Sequence, residues 1–229
     1  MPQRPDEDGG EEPACFASPP CFLHELDPAW RGGPAGDAQA RHDVARWRKA
    51  ERERLIALRR GFCAERRAQI VAAIIPHLDA LLGDVAGKVI SGWWPMWGEL
   101  DLRPWLSGLA ARGATAALPC VDRRHAPLLF RAWRKGAAMG RDACGIPCPA
   151  DGAALTPDIV LAPVVGFDAG CYRLGHGGGY YDRTLAALPA ARPVGIGPAA
   201  ARVATIFPQW HDVPMAAVVT EDGIVTAAA

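Results

Sequence analysis

The sequence carries no net charge: 25 Lys and Arg are matched by 25 Asp and Glu. A surface that tracks nucleic-acid phosphates leaves a basic excess, so this balance argues against a nucleic-acid partner. Lysine is scarce, with 3 against 22 arginines. An arginine where lysine is usual is therefore weak evidence of altered chemistry. No apolar run reaches transmembrane length, and the opening MPQRPDEDGGEEP lacks the apolar core of a signal peptide. A cytoplasmic protein without a membrane partner is expected. The seven cysteines (Cys15, Cys21, Cys63, Cys120, Cys144, Cys148, Cys171) form no Cys-x-x-Cys pair, and no histidine stands at zinc-finger spacing. Cys144, Cys148 and Cys171 are one candidate metal set, but reduced cytosolic thiols are the favoured reading. Gly83–Lys88 resembles a Walker loop faintly; its spacing is one residue short and no Ser or Thr follows Lys88, which leaves a turn.

What is present suits one domain with a tail: 229 residues, half of them hydrophobic. Residues 1–41, rich in Pro, Gly and acid, read as a poorly ordered extension, and 42–229 as the domain. Within the extension, residues 17–27 are less random and suggest a partner-contacting or docking segment. Cys21, His24 and Glu25 there leave metal binding as a second reading. From Asp43 to Leu82 the pattern is helical, with Ile70, Ile74, Leu78 and Leu81 at helical intervals and a break at Gly61. Arg48 and Arg52 fall on one helical face, which for an arginine-rich helix is ordinarily solvated. Strands are expected at Lys88–Trp94, Thr115–Val121, Leu128–Trp133 (at an edge), Asp158–Phe167 and Arg192–Gly197, with a helix over Pro104–Arg112. This alternation predicts a three-layer α/β/α domain with a mostly parallel sheet. Such sheets bind ligands beyond the carboxyl ends of their strands.

The chain is organised around Phe167–Asp182, FDAGCYRLGHGGGYYD. A buried strand precedes it and a helix, Tyr181–Leu188, follows. Between them Gly175, Gly177, Gly178 and Gly179 let backbone N–H groups converge on an anion, and the helix dipole adds positive charge. Arg173 supplies a fork of donors, and Asp182 in the first helical turn is placed to hold a divalent cation. Glycine spacing alone reads more readily as a tight turn.

The full string is more specific. Arg173, Leu174, Gly175, Gly177, Gly179, Tyr180, Tyr181 and Asp182 give R-L-G-x-G-x-G-Y-Y-D, which resembles the signature of the 5-formyltetrahydrofolate cyclo-ligase (methenyltetrahydrofolate synthetase) family. Further family motifs occur in order over residues 45–225. The resemblance implies a Rossmann-like, CoA-transferase-like domain that uses ATP and Mg²⁺ on a reduced folate. It implies an ATP site of Arg48, Arg52, Arg173, Gly175, His176, Gly177, Gly178, Gly179, Tyr181 and Asp182, with Asp182 toward the metal. Glu99, Trp94, Trp133 and Tyr180 are implied on the folate side, where Trp93 and Trp97 also offer flat apolar faces. Arg173 and Tyr180 are the implied catalytic pair. The ending His211-Asp212-Val-Pro matches the family, and that pair is expected to fix the last strand beside the nucleotide loop.

Three departures stand out. Arg48 replaces the usual lysine, Cys148 occupies the position of a family glutamate, and no glutamine follows near Ala199. The implied reaction is ATP-dependent conversion of 5-formyltetrahydrofolate to 5,10-methenyltetrahydrofolate through a phosphorylated formyl group. A relative acting on another formylated or carboxylated small molecule, or a silent nucleotide- or folate-binding protein, are the rival readings.

Overall fold

A computed structural model describes residues 38–227. Most of the N-terminal extension, including the docking segment expected at 17–27, lies outside the described residues. Helix α1 (Ala38–Arg60) begins ahead of the expected boundary at 42, because residues 38–41 (Ala-Gln-Ala-Arg) favour helix. Arg59 and Arg60 in its last turn complement the helix dipole. Gly61 ends it, its N–H reaching the Ala57 and Leu58 carbonyls at 3.1 Å each. Helix α2 (Ala64–Leu82) follows, capped by Cys63, whose Sγ accepts from the Arg66 amide at 3.4 Å. Its buried stripe is Ile70, Ile74, Leu78 and Leu82; Leu82 takes the place expected of Leu81, at strict four-residue spacing.

The remaining elements are strands β1 (Val89–Ser91), β2 (Thr115–Cys120), β3 (Leu129–Ala132), β4 (Met139–Arg141), β5 (Pro147–Pro149), β6 (Ala154–Leu155), β7 (Ile159–Pro163), β8 (Gly166–Phe167), β9 (Arg173–Leu174), β10 (Arg192–Ile196), β11 (Ala217–Thr220) and β12 (Gly223–Val225). Helix α3 (Arg103–Ser107) lies between β1 and β2, and α4 (Tyr180–Ala187) between β9 and β10. Eight strands form one sheet in the order β12-β11-β10-β7-β1-β2-β3-β6. The five from β11 to β2 run parallel, and β12, β3 and β6 are antiparallel to their neighbours. Strand β3 is thus not at the edge, because the two-residue β6 covers it.

Alternation along β7 assigns the layers. Ile159 and Leu161 enter a core with α2, α3, Ile90 and Leu118 on one face. Val160 and Ala162 enter a second core with Leu185 of α4, Phe130 and Val218 on the other. The architecture is therefore the three-layer α/β/α sandwich. Leu55 anchors α1 separately against Val165, Leu174 and Ile206.

Two features place the site. The strand expected through Trp94 stops at Ser91, and the chain then crosses irregularly to Leu102. Gly92 marks the change: a Cβ there would lie 2.3 Å from Leu106 Cδ1, so α3 packs directly on the strand end. Second, β1 and β7 are neighbours from which the sheet is built outward in opposite directions. A crevice opens at such a switch point.

Candidate active site

A cavity of about 900 Å³ occupies that crevice. Pro163 at the end of β7 and Pro119 of β2 form its floor. Its walls are the inner face of α1, the irregular segment after β1, the glycine loop with the start of α4, and residues 208–212.

The glycine loop is held from behind. Arg52 Nε donates to the Gly175 carbonyl at 2.6 Å, and Arg183 donates to the Gly178 carbonyl. With those carbonyls engaged by cations, the amide edge is left over. Among the described residues, none of the amides of residues 175–179 donates a hydrogen bond, and all five residues line the cavity. Gly177 (φ 106°) and Gly179 (φ 64°) adopt backbone that L residues rarely enter. At Gly175 the constraint is space, since a Cβ would lie 2.4 Å from Arg173 Nη1.

Arg173 is buried on β9, a strand not anticipated, which pairs with β8 to form a two-residue ladder. Its Nη2 donates to Asp182 Oδ2 at 3.0 Å, while its buried Nε has no partner. The guanidinium lies 4.9 Å from the Tyr181 ring centroid. The Tyr181 hydroxyl is buried without a hydrogen-bond partner, and burial pushes its pKa above the usual tyrosine range. Tyr180 lines the cavity with its hydroxyl 3.5 Å from Cys144 Sγ.

Arg48 and Arg52 both face the cavity from α1. Arg48 grips Asp212 through both Nη atoms, at 2.8 and 3.0 Å. Asp212 also accepts from the Gln209 amide at 2.6 Å, so it ties α1 to the 208–212 wall. Asp182 Oδ1 accepts from the Val213 amide at 3.4 Å, four residues ahead of β11. His211 beside it has its pKa lowered, chiefly by burial, with Asp212 opposing and Arg48 reinforcing the shift.

On the opposite wall Glu99 is buried but not isolated. Oε1 lies 3.0 Å from His176 Nε2, and Oε2 accepts from the Met96 amide at 3.0 Å. Arg59, from the last turn of α1, reaches within 3.8 Å of Oε1. Burial lowers the Arg59 pKa and Glu99 opposes that shift. Trp93, Trp94 and Trp97 line the same wall.

Sequence reasoning missed Arg59. A signal existed: it stands seven residues after Arg52, two turns on, hence on the same face. Gln209 and Trp210, which line the mouth, carried none. Two expected neighbours are not in the lining. Trp133 packs on the α2-side core instead, because β3 continues past the crevice. Cys148 is buried on β5 beside Cys120, whose thiol pKa is pushed up to about 12, by burial first and then by Cys148. The thiols of the alternative metal set lie apart: Cys144 faces the cavity, Cys148 adjoins Cys120, and Cys171 bonds the Val225 carbonyl at 3.4 Å.

The donor set can be tested against what such a cavity would hold. Five unengaged amides, an unpartnered buried guanidinium nitrogen and room made by absent Cβ atoms fit a polyphosphate. For a divalent cation the set is thinner: among the described residues no group of three His, Cys, Asp or Glu gathers. Magnesium, however, is commonly held by one or two carboxylates together with phosphate oxygens and water. Asp182 fits as such a single carboxylate.

Comparison with known proteins bears on the same region. A family model for the 5-formyltetrahydrofolate cyclo-ligase family matches residues 44–221. The Escherichia coli K12 5-formyltetrahydrofolate cyclo-ligase is 33% identical over 131 residues, covering 54% of this chain and 72% of that protein. The fold is similar to the Aquifex aeolicus 5,10-methenyltetrahydrofolate synthetase, with TM-score 0.68 and 26% identity, over 80% of this chain and 93% of that one. A synthetase from Mycoplasma pneumoniae shares the fold at TM-score 0.63 and 21% identity, over 76% and 98%.

Proposed function

This chain belongs to the 5-formyltetrahydrofolate cyclo-ligase family, and from that premise we propose that it closes 5-formyltetrahydrofolate to 5,10-methenyltetrahydrofolate, converting ATP to ADP and phosphate. One observation carries the reading. An anion cradle and an acceptor-only carboxylate face each other across a single cavity, with tryptophans beside the carboxylate. The cradle suits the phosphates of ATP. The carboxylate suits the N–H donors of a reduced pterin, whose flat ring suits the tryptophan faces. Each Glu99 oxygen has a second lone pair for such a donor.

The chemistry needs activation because a formamide oxygen is a poor leaving group. In the proposed reaction the γ-phosphoryl passes to the formyl oxygen on N5, giving an iminium phosphate. N10 then attacks the formyl carbon, N10 loses its proton, and the C–O bond breaks to release phosphate. Phosphoryl transfer rests on positioning and charge neutralisation. Arg173, held by Asp182 and the Tyr181 face, presents fixed positive charge that needs no reorganisation. Arg48 and Arg52 add charge from α1, and the loop amides orient the phosphates. Asp182 would hold Mg²⁺ together with the phosphates, and the ion would supply further charge neutralisation. Tyr180 borders the folate side of the loop, where its hydroxyl can orient the formyl group.

The test mixes protein, Mg-ATP and 5-formyltetrahydrofolate and follows the methenyl-folate absorbance band. An ATP-dependent rise supports the proposal. ATP turnover with a different formyl compound, and none with this one, would assign another substrate to the same cradle. No turnover with any of them would leave a ligand-binding protein.

A further inference from the structure

The two halves of the cavity are joined by a residue of the glycine loop. His176 stands between Gly175 and Gly177, yet its Nε2 is 3.0 Å from Glu99 Oε1 on the opposite wall. Among the described residues this is the one side-chain hydrogen bond between the loop, residues 175–179, and the segment 92–102. A carboxylate only accepts, so Nε2 donates in this contact. Arg59 Nη2, itself only a donor, lies 3.4 Å from the same nitrogen and cannot bond it while Nε2 carries that proton. Arg59 acts instead as the counter-charge for Glu99 and touches the Trp97 carbonyl at 3.4 Å. The Trp97 ring packs on the imidazole at 5.4 Å between centroids.

The two joined segments are held differently. The loop is nearly all glycine and takes its position from its contacts. Past Gly92, whose N–H reaches the Ala117 carbonyl of β2 at 3.0 Å, residues 93–102 belong to no strand, and Trp97 sits at φ 48°, a conformation unusual outside glycine. A phosphate seated on the loop amides fixes the loop, and a pterin donor on Glu99 fixes the opposite segment. The His176–Glu99 bond makes each of those events favour the other.

We propose that His176 is a positioning residue that couples nucleotide binding on the glycine loop to reduced-folate binding at Glu99. This rests on the function proposed above. By reciprocity, nucleotide raises folate affinity and folate raises nucleotide affinity by the same factor. For one hydrogen bond to a buried carboxylate that factor is roughly 10-fold, within the usual range of coupling between sites.

Cross-titration tests it without turnover. The dissociation constant of a non-hydrolysable Mg-ATP analogue is measured by calorimetry, alone and with saturating tetrahydrofolate, which lacks the formyl group. In the native protein folate should tighten the analogue about 10-fold. In His176→Met the gain should fall to within about twofold, whatever change the substitution makes in the affinity for each ligand alone. His176→Gln, whose side-chain amide can donate to Glu99, should retain most of the gain, which loss of loop shape alone would not allow. Full coupling in the Met variant, or a Gln variant no better than Met, overturns the assignment. Independent binding of both ligands to the native protein overturns it while leaving the proposed function intact. A native protein that binds neither ligand refutes the function as well.

Discussion

Replacing Asp212 with alanine isolates one of the contacts that hold α1 to the site. Asp212 receives two N–H groups from Arg48 and a third hydrogen bond from the Gln209 amide. Its side chain is 5% exposed and that of Arg48 12%. Removing one member of a buried pair leaves the other charged and uncompensated, which costs ~3–5 kcal/mol. Arg48 borders an open cavity and regains some water, so about 3 kcal/mol is expected. For a domain of this size that corresponds to a fall of roughly 6–12 °C in melting temperature. Adding Arg48→Met removes the stranded cation, so the double variant should be less destabilised than the sum of the single ones, by about 1–3 kcal/mol. A saturating nucleotide analogue should also raise the melting temperature of Asp212→Ala more than that of the native protein, because phosphate then compensates Arg48. Thermal and urea unfolding read all three quantities. A drop below about 3 °C, or strict additivity in the double variant, would refute the claim that this pair docks α1.

Gly177→Val places a β-branched residue at φ 106°, in a cavity-lining loop whose amides donate no hydrogen bond; nucleotide binding should be lost while unaffected far-ultraviolet dichroism shows the fold kept. Unchanged nucleotide affinity would remove the loop from the site. Glu99→Ala should weaken tetrahydrofolate far more than the ATP analogue, by about 10-fold or more for a charged acceptor; equal losses in both would move Glu99 out of the pterin half. Stability should fall with acid through His211. Its folded pKa lies below the unfolded value of about 6.5, so the unfolded chain takes the proton first as pH drops through that value. The groups acting on it are Asp212, Arg48, Asp182 and Arg183. The urea midpoint of the native protein should therefore fall more between pH 7.5 and 5.5 than that of His211→Gln, and parallel curves would contradict the sign.

The elements legible in the sequence were those with an apolar stripe or an unbroken apolar run. The Ile70, Ile74, Leu78 stripe repeats at the helical period and emerged where expected, while the apolar run expected as a strand over Asp158–Phe167 gives β7, which stops at Pro163, and then β8 in a separate sheet. The glycine loop was legible for a different reason: its residues are chosen by backbone conformation, which is local. What the sequence could not show was set by the pairing and register of short strands. Strand β9 is two residues long and exists because Leu174 and Arg173 pair with Gly166 and Phe167. Trp133 read as a site aromatic from its order in the chain, but the register of β3 against β2 carries it to the α2-side core.

Cys148 shows the same limit with a chemical consequence. Read along the chain it replaces a glutamate and throws the substrate into question. In space it is buried against Cys120, away from the cavity, in surroundings that disfavour charge. A carboxylate at that point would have Arg131 at hand, whose charge acts on the Cys120 thiol and whose Nη1 donates to the neighbouring Pro149 carbonyl at 3.0 Å. Under the proposed function, the contact that bears on substrate is the one between Glu99 and His176, 77 residues apart in sequence. Neither residue alone announces it, since a solvated glutamate and a histidine in a turn are the ordinary readings of both.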